Sequence, residues 1–311
     1  MAFQNVEKEA CMANERRIKK VLKSRPTIEG AGVHLKRAFG FGETDLFDPF
    51  LLLDDFRGDN PELYRRGFPW HPHRGIETIT YVLRGTVEHG DSLGNGGVIG
   101  AGDIQWMTAG SGIIHQEMPA GDADGRMYVF QLWANLPRKN KMMKPRYQEA
   151  KSIQIPVVTL ANGVTIRVIC GEVAGHPGLI QNVIIEPEYI DVTIPAGTTY
   201  THPTVSGHTV FAYVIDGQAS FCGEDDPYAY EAEGSNYFDT AREAMPGNTS
   251  LIVFSDGDQI QIATRESGVR FLLMSGRPIR EPVAWYGPIV MNTGEELRIA
   301  FDELQNGSFI K

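Results

Sequence analysis

Along most of the chain, apolar residues come in short runs punctuated by Gly and Pro, a pattern that predicts strands rather than helices. Val33 to Phe39 reads as a strand, and Phe50-Leu51-Leu52-Leu53 is an apolar run bounded by Asp48-Pro49 and Asp54. Ile79-Thr80-Tyr81-Val82-Leu83 has the β-branched and aromatic content that strands favour. Gly94-Asn95-Gly96-Gly97 tolerates positive φ and signals a hairpin before Val98 to Met107. Ala109-Gly110-Ser111-Gly112 then turns the chain into Ile113-Ile114-His115, and Met127 to Leu132 closes the unit. Strands of about five to seven residues recurring about every ten describe a β-barrel or sandwich.

Pro137 to Lys151 is basic and Pro-interrupted and reads as a connection. A second β-series follows through Val157 to Leu160, Val183 to Ile185, Val210 to Ile215, Leu251 to Phe254 and Phe271 to Met274. Two all-β halves of similar size suggest an internal duplication. Thr293 to Phe301 has helical apolar spacing, with Thr293 placed to cap and Asn306-Gly307 to stop it. The expected domains are a polar tail over 1–22, a first barrel over 23–136, a linker over 137–152, a second barrel over 153–290, and a helix and tail over 291–311. The basic run Arg16-Arg17-Ile18-Lys19-Lys20 reads as a solvated or helical tail.

Composition narrows the partners. The chain has 311 residues, 42% hydrophobic and 22% charged, with 34 Gly and 18 Pro, enough apolar material for real cores and many turns. A formal charge of −10 disfavours direct grip on nucleic acid or anionic membrane. Cys11, Cys170 and Cys222 are too few and too scattered for a disulfide framework or a thiolate zinc site, so a reducing compartment is expected. No stretch is apolar enough for a signal-peptide core or a membrane span. The expected setting is the cytoplasm, or the nucleus in a eukaryote.

Candidate chemistry concentrates in Trp70-His71-Pro72-His73-Arg74-Gly75. Side chains alternate across a strand, so His71 and His73 share a face. His115-Gln116-Glu117 forms a second pair with the same spacing. If the two strands adjoin, three imidazoles and a carboxylate converge on one pocket. Glu77 lies an even number of positions from His73, and parity leaves it open as an alternative carboxylate. Such a set suits Fe, and also Mn, Ni, Cu or Zn, whereas a closed structural site would be rich in thiolates. His89, in Val87-Glu88-His89-Gly90-Asp91, reads as solvent-facing near a loop. Ser111 lacks the strand-turn-helix setting of a hydrolase nucleophile.

The pattern His71, His73, Glu77, Gly85, Gly112 and His115 resembles the cupin superfamily of small metal-holding β-barrels. A longer resemblance spans nearly the whole chain. Asp48-Pro49-Phe50-Leu51-Leu52, Gly67-Phe68-Pro69, His71-Pro72-His73-Arg74-Gly75, Gly102 to Gly110, Gly112-Ile113-Ile114-His115 and Glu117-Met118-Pro119 resemble the pirin family. Glu281-Pro282, Gly287-Pro288 and Val290-Met291-Asn292-Thr293 match it as well. This implies two cupin-type barrels packed together with a short C-terminal helix. It also implies that His71, His73, His115 and Glu117 hold the metal, with Glu77 displaced, where the general cupin pattern would choose Glu77.

The second half departs from that pattern. Thr204 stands where an imidazole would follow His202, His208 lies six positions beyond His202, and Ser255-Asp256-Gly257-Asp258 replaces the distant Gly-x-x-His. A barrel without metal is expected there. Pirins resemble quercetinases, which implies oxygenolytic cleavage of a flavonol with O2 and loss of carbon monoxide; Glu117, if it loosens on substrate binding, is the candidate general base. The resemblance equally implies a regulator that binds transcription factors or metabolic enzymes according to its iron state.

Overall fold

A computed structural model describes residues 14–234, 238 and 243–311, and Cys11 lies outside the described residues. The chain forms two β-barrels. In the first, a seven-stranded sheet runs Arg146–Ala150, Ile104–Thr108, Ile76–Arg84, Met127–Asn135, Phe50–Gly58, Val33–Phe39, Arg25–Glu29. It closes against a four-stranded sheet of Phe68–His73, Ile113–Ala120, Thr86–Asp91 and Gly96–Ile99. The second barrel pairs an eight-stranded sheet with a three-stranded one. Among the described residues no helix is long and apolar enough to cross a membrane.

The largest apolar cluster lies between the barrels. Phe39, Phe47, Phe50, Trp106 and Phe130 from the first half bury against Phe211, Tyr213, Leu272 and Met274 from the second. The Phe211 ring meets Phe39, Phe47 and Phe50 edge-on at 5.4, 5.4 and 5.2 Å between centroids, the geometry aromatic quadrupoles favour. The outward faces of the two large sheets are therefore apolar because they cover one another. Aliphatic side chains fill the second barrel. The first barrel has a smaller apolar plug around Val33, Phe56, Val82 and Val129.

Next to that plug, a polar row crosses the inner face of the seven-stranded sheet. Gln105, Thr80, Gln131, Asp54 and Arg37 are successive cross-strand partners on five adjacent strands. The following row is Met107, Thr78, Trp133 and Leu52. Polar side chains inside a barrel must find partners, and this row is where the chemistry is built.

Three expectations about boundaries need correction. Residues 14–22 are not a tail: Ile18–Lys23 is a strand of the second barrel, antiparallel to Ser250–Phe254 and parallel to Glu231–Glu233. Ile18, Val21 and Leu22 are buried while Lys19 is exposed, so the lysines masked an amphipathic strand. Arg16 is buried and donates to Thr204 Oγ1 and to the carbonyls of Val205 and Ser255. Arg146–Ala150, expected within the linker, is an edge strand of the first barrel.

The third correction is at the C-terminus. Ile289, placed by sequence in the second barrel, forms a parallel bridge to Arg74 of the first. Val290 packs with Leu51, Ile76 and Ile113. Gly75 sits at φ +78°, and a Cβ there would come within 1.9 Å of the Val290 carbonyl oxygen, so this close approach requires glycine. Lys141 is buried beside it and donates to the carbonyls of Gly75 and Val290 and to Asn135 Oδ1. The Gly294–Gln305 helix starts as expected on a capping box formed by Thr293 and Glu296.

Candidate metal centre

The two histidine-bearing strands adjoin. Phe68–His73 pairs antiparallel with Ile113–Ala120, and His115 lies directly opposite His71. The register slips between His115 and Glu117, which faces Phe68. All three imidazoles meet: one nitrogen from each of His71, His73 and His115 lies within 4.8 Å of the others. His73 and His115 are buried and His71 is half-buried, at the mouth.

Hydrogen bonds from outside the cluster set the tautomers. Nδ1 of His71 lies 2.8 Å from the Pro69 carbonyl oxygen, and Nδ1 of His73 lies 3.0 Å from that of Pro288. A carbonyl only accepts, so each Nδ1 carries the proton and each Nε2 presents a lone pair. Those Nε2 atoms face each other at 3.0 Å. Nε2 of His115 is buried with no hydrogen-bond partner. Burial, reinforced by the neighbouring imidazoles, holds His73 and His115 well below the ordinary histidine pKa, so both are neutral at pH 7.

These features fit a transition metal. Facing lone pairs repel unless a cation lies between them, and neutral imidazoles are the form that binds metal. Two nitrogens about 2.1 Å from one ion lie about 3.0 Å apart at a right angle and about 3.4 Å apart at a tetrahedral angle. The 3.0 Å between the Nε2 atoms of His71 and His73 is a separation that two ligands of one ion can have.

Glu117 is placed differently from the imidazoles. It is buried on the same strand face as His115, but its carboxylate is not part of the three-nitrogen cluster. Oε1 accepts from Thr80 Oγ1 at 2.8 Å and Oε2 from Gln131 Nε2 at 2.7 Å. Gln131 is oriented in turn by Trp133, whose indole N–H donates to its Oε1 at 3.1 Å. Glu77 is on the opposite side of its strand from Thr78 and Thr80, among the inter-barrel residues Ile79 and Tyr81. Its Oε1 accepts from Thr108 at 2.6 Å, and burial raises its pKa. Counting parity from His73 fails because the Arg74-Gly75 turn separates the two strands.

His89 corrects a further expectation. It is buried rather than solvent-facing, opposite Glu117 on the adjacent strand. Its Nε2 lies 2.9 Å from the Tyr147 hydroxyl, which donates to Glu149 at 2.7 Å. Asp91, two positions on, is also buried, so the same period-two signal was present there. Ser111 serves through its carbonyl, which accepts from Arg74 Nε at 2.7 Å. In the second barrel both ring nitrogens of His202 are engaged, by Tyr200 at 2.7 Å and Glu188 at 2.8 Å.

A cleft of about 620 Å³ opens onto His71 and His73. Such a volume is in the ~300–1,000 Å³ range of small-molecule sites. Trp133, Trp285 and Phe41 form an aromatic wall: Trp133 meets the His73 ring at 5.0 Å and Trp285 at 5.9 Å. Gln131, Trp133 and Trp285 carried no role in the sequence reading. Gln131 was visible as the lone polar residue in Val129-Phe130-Gln131-Leu132.

Comparisons with known proteins agree with this architecture. Residues 32–134 match the family model for Pirin, and residues 189–310 match that for the Pirin C-terminal cupin domain. A pirin-like protein of Caulobacter vibrioides is 43% identical over 295 residues, covering 94% of this chain and 99% of the relative. Pirin of Homo sapiens is 37% identical over 297 residues, covering 95% of this chain and 94% of the relative. The crystal structure of quercetin 2,3-dioxygenase from Acinetobacter baumannii superposes with a TM-score of 0.81 at 30% identity, covering 95% of this chain and 98% of that one. With both barrels matched in order and whole-length relatives at this identity, the chain belongs to the pirin family, as a two-cupin protein.

Proposed function

We propose that this protein is an iron-dependent dioxygenase that opens the central ring of a flavonol. The observation that carries this reading is the cleft itself: the indoles of Trp133 and Trp285, 5.9 Å apart and inclined at 40° to each other, lead to imidazoles His71 and His73. The solved quercetin 2,3-dioxygenase with the same fold supports it. His71, His73 and His115 would hold the ion, and Glu117, outside the three-nitrogen cluster but on the same strand face as His115, would complete the set. When bound, the ion supplies Lewis acidity toward the flavonol 3-hydroxyl and a place for O2 beside the ring.

The chain's own residues supply the rest. The indoles of Trp133 and Trp285 orient the planar substrate and exclude water from its faces. Glu117 takes the 3-hydroxyl proton, and Thr80 and Gln131 keep its carboxylate aimed during the transfer. One flavonol and one O2 give one ring-opened ester and one carbon monoxide, which balances every atom. The few, scattered cysteines suit a reducing, cytoplasmic setting.

The test is aerobic incubation of iron-loaded protein with quercetin, following O2 uptake and carbon monoxide release. One-to-one stoichiometry supports the reading, and a fully loaded protein that leaves quercetin intact refutes it. Gln131→Leu should weaken metal binding by about 10–100-fold, the usual effect of losing a partner that orients a ligand. Competition with a chelator of known affinity measures this, and unchanged affinity would remove Gln131 from the account.

A further inference from the structure

The cleft lining joins an aromatic part to a charged one. Beside Trp133 on the same sheet face, where Leu52 pairs with Trp133 and Asp54 with Gln131, its lining includes Arg37, Asp54 and Glu29. Asp54 is buried, and both its oxygens accept from one guanidinium, Oδ1 from Arg37 Nε at 2.8 Å and Oδ2 from Nη2 at 2.7 Å. Arg37 Nη1 donates to Glu29 at 2.9 Å. A guanidinium has five N–H groups, and these three bonds leave one on each Nη. Arg37 is partly exposed, with its side chain 24% accessible.

Packing alone does not call for this pair. A buried ion pair is often replaceable by apolar residues of similar volume at no cost in stability, and the neighbouring position Leu52 shows that this wall accepts one. The pair also stands in register with the chemistry. Asp54 is the cross-strand partner of Gln131, which holds Glu117, and Arg37 is one strand further out. At about 4.8 Å per strand, the Arg37 backbone is about two strand spacings from that of Gln131, and its guanidinium reaches back to Asp54 on the strand between them.

We propose that Arg37, held by Asp54 and Glu29, is the specificity-determining contact of this cleft, selecting flat aromatic ligands that carry a second phenolic or keto oxygen remote from the one directed at the imidazoles. This rests on the flavonol reading and narrows it to polyhydroxylated substrates. The free N–H groups donate to that oxygen, and Asp54 fixes their direction. Burial pushes the Asp54 carboxyl up to about 6, against the pull of Arg37, so it is ionised and bonded to the guanidinium at neutral pH.

The test is equilibrium binding followed by tryptophan quenching, under anaerobic conditions that prevent turnover. The metal-loaded protein is titrated with quercetin and with 3-hydroxyflavone, which lacks every hydroxyl except the one at the central ring. Quercetin should bind about tenfold more tightly, the factor of one charge-assisted hydrogen bond at a partly exposed wall. In Arg37→Gln the preference should fall to within about twofold. The double variant Arg37→Gln/Asp54→Asn, which leaves no buried charge unpaired, should lose it equally; circular dichroism confirms that each variant is folded. A folded variant that keeps the tenfold preference overturns the assignment. If quercetin is also turned over with carbon monoxide release, only the role of Arg37 falls. If the wild-type protein binds neither flavonol, the flavonol reading falls with it.

Discussion

Replacing His73 with alanine is expected to cut flavonol turnover and metal affinity by more than about a hundredfold, beyond the 10–100-fold that losing an outer partner of a ligand costs. Three contacts make His73 the hub. Its Nδ1 is fixed by the Pro288 carbonyl, its Nε2 faces that of His71 at 3.0 Å, and its ring abuts Trp133 on the cleft wall. Alanine leaves His71 and His115 without the third imidazole and opens a gap beneath the indole. Initial rates at saturating quercetin and metal per chain after dialysis are the readouts. Wild-type rate in a metal-depleted His73→Ala protein would break the link between this cluster and turnover.

Arg74→Ala is expected to destabilise the protein by about 2–5 kcal/mol, the cost of leaving two buried carbonyls without their donors. Arg74 is 1% exposed. Its Nε donates to the Ser111 carbonyl at 2.7 Å, its Nη1 to Glu303 at 2.7 Å and its Nη2 to the Phe309 carbonyl at 2.8 Å. The guanidinium carbon also lies 4.2 Å from the centre of the Phe309 ring. Removing it unties the C-terminal segment from the turn next to His73 and leaves two carbonyls without donors. The same segment supplies Pro288, so metal affinity should fall together with stability. Urea unfolding measures the effect. Arg74→Lys should recover only part of it, because an ammonium cannot reproduce the fork. A loss below about 1 kcal/mol would mean that the segment is held by its apolar contacts alone.

What the sequence made legible depended on whether the signal was local. His71 and His73 share one strand face because period-two alternation is local, and the convergence with His115 followed from assuming that two strands adjoin, while the pairing of His115 with His71 needed the register. The parity argument failed at Glu77, where the Gly75 turn resets the count, and resemblance to pirins pointed away from that residue. His89 was misread although Asp91 follows it with the same spacing. The Ile18–Lys23 strand was hidden by its lysines, whose long side chains reach water from an edge of a mostly buried strand. The clamp by Arg74, Phe309 and Pro288 joins residues more than two hundred positions apart. No pattern within a window of sequence encodes such a contact. The polar row from Gln105 to Arg37 is similarly invisible until five strands are in register.

A three-imidazole metal centre is tested most directly by counting metal in protein purified without chelator or nickel resin, alongside His115→Ala prepared in the same way. The expected result is about one transition-metal ion per wild-type chain, mostly iron, and a small fraction of that in the variant. A wild-type chain that neither carries metal nor takes it up on titration, or a His115→Ala chain with undiminished metal, would contradict it.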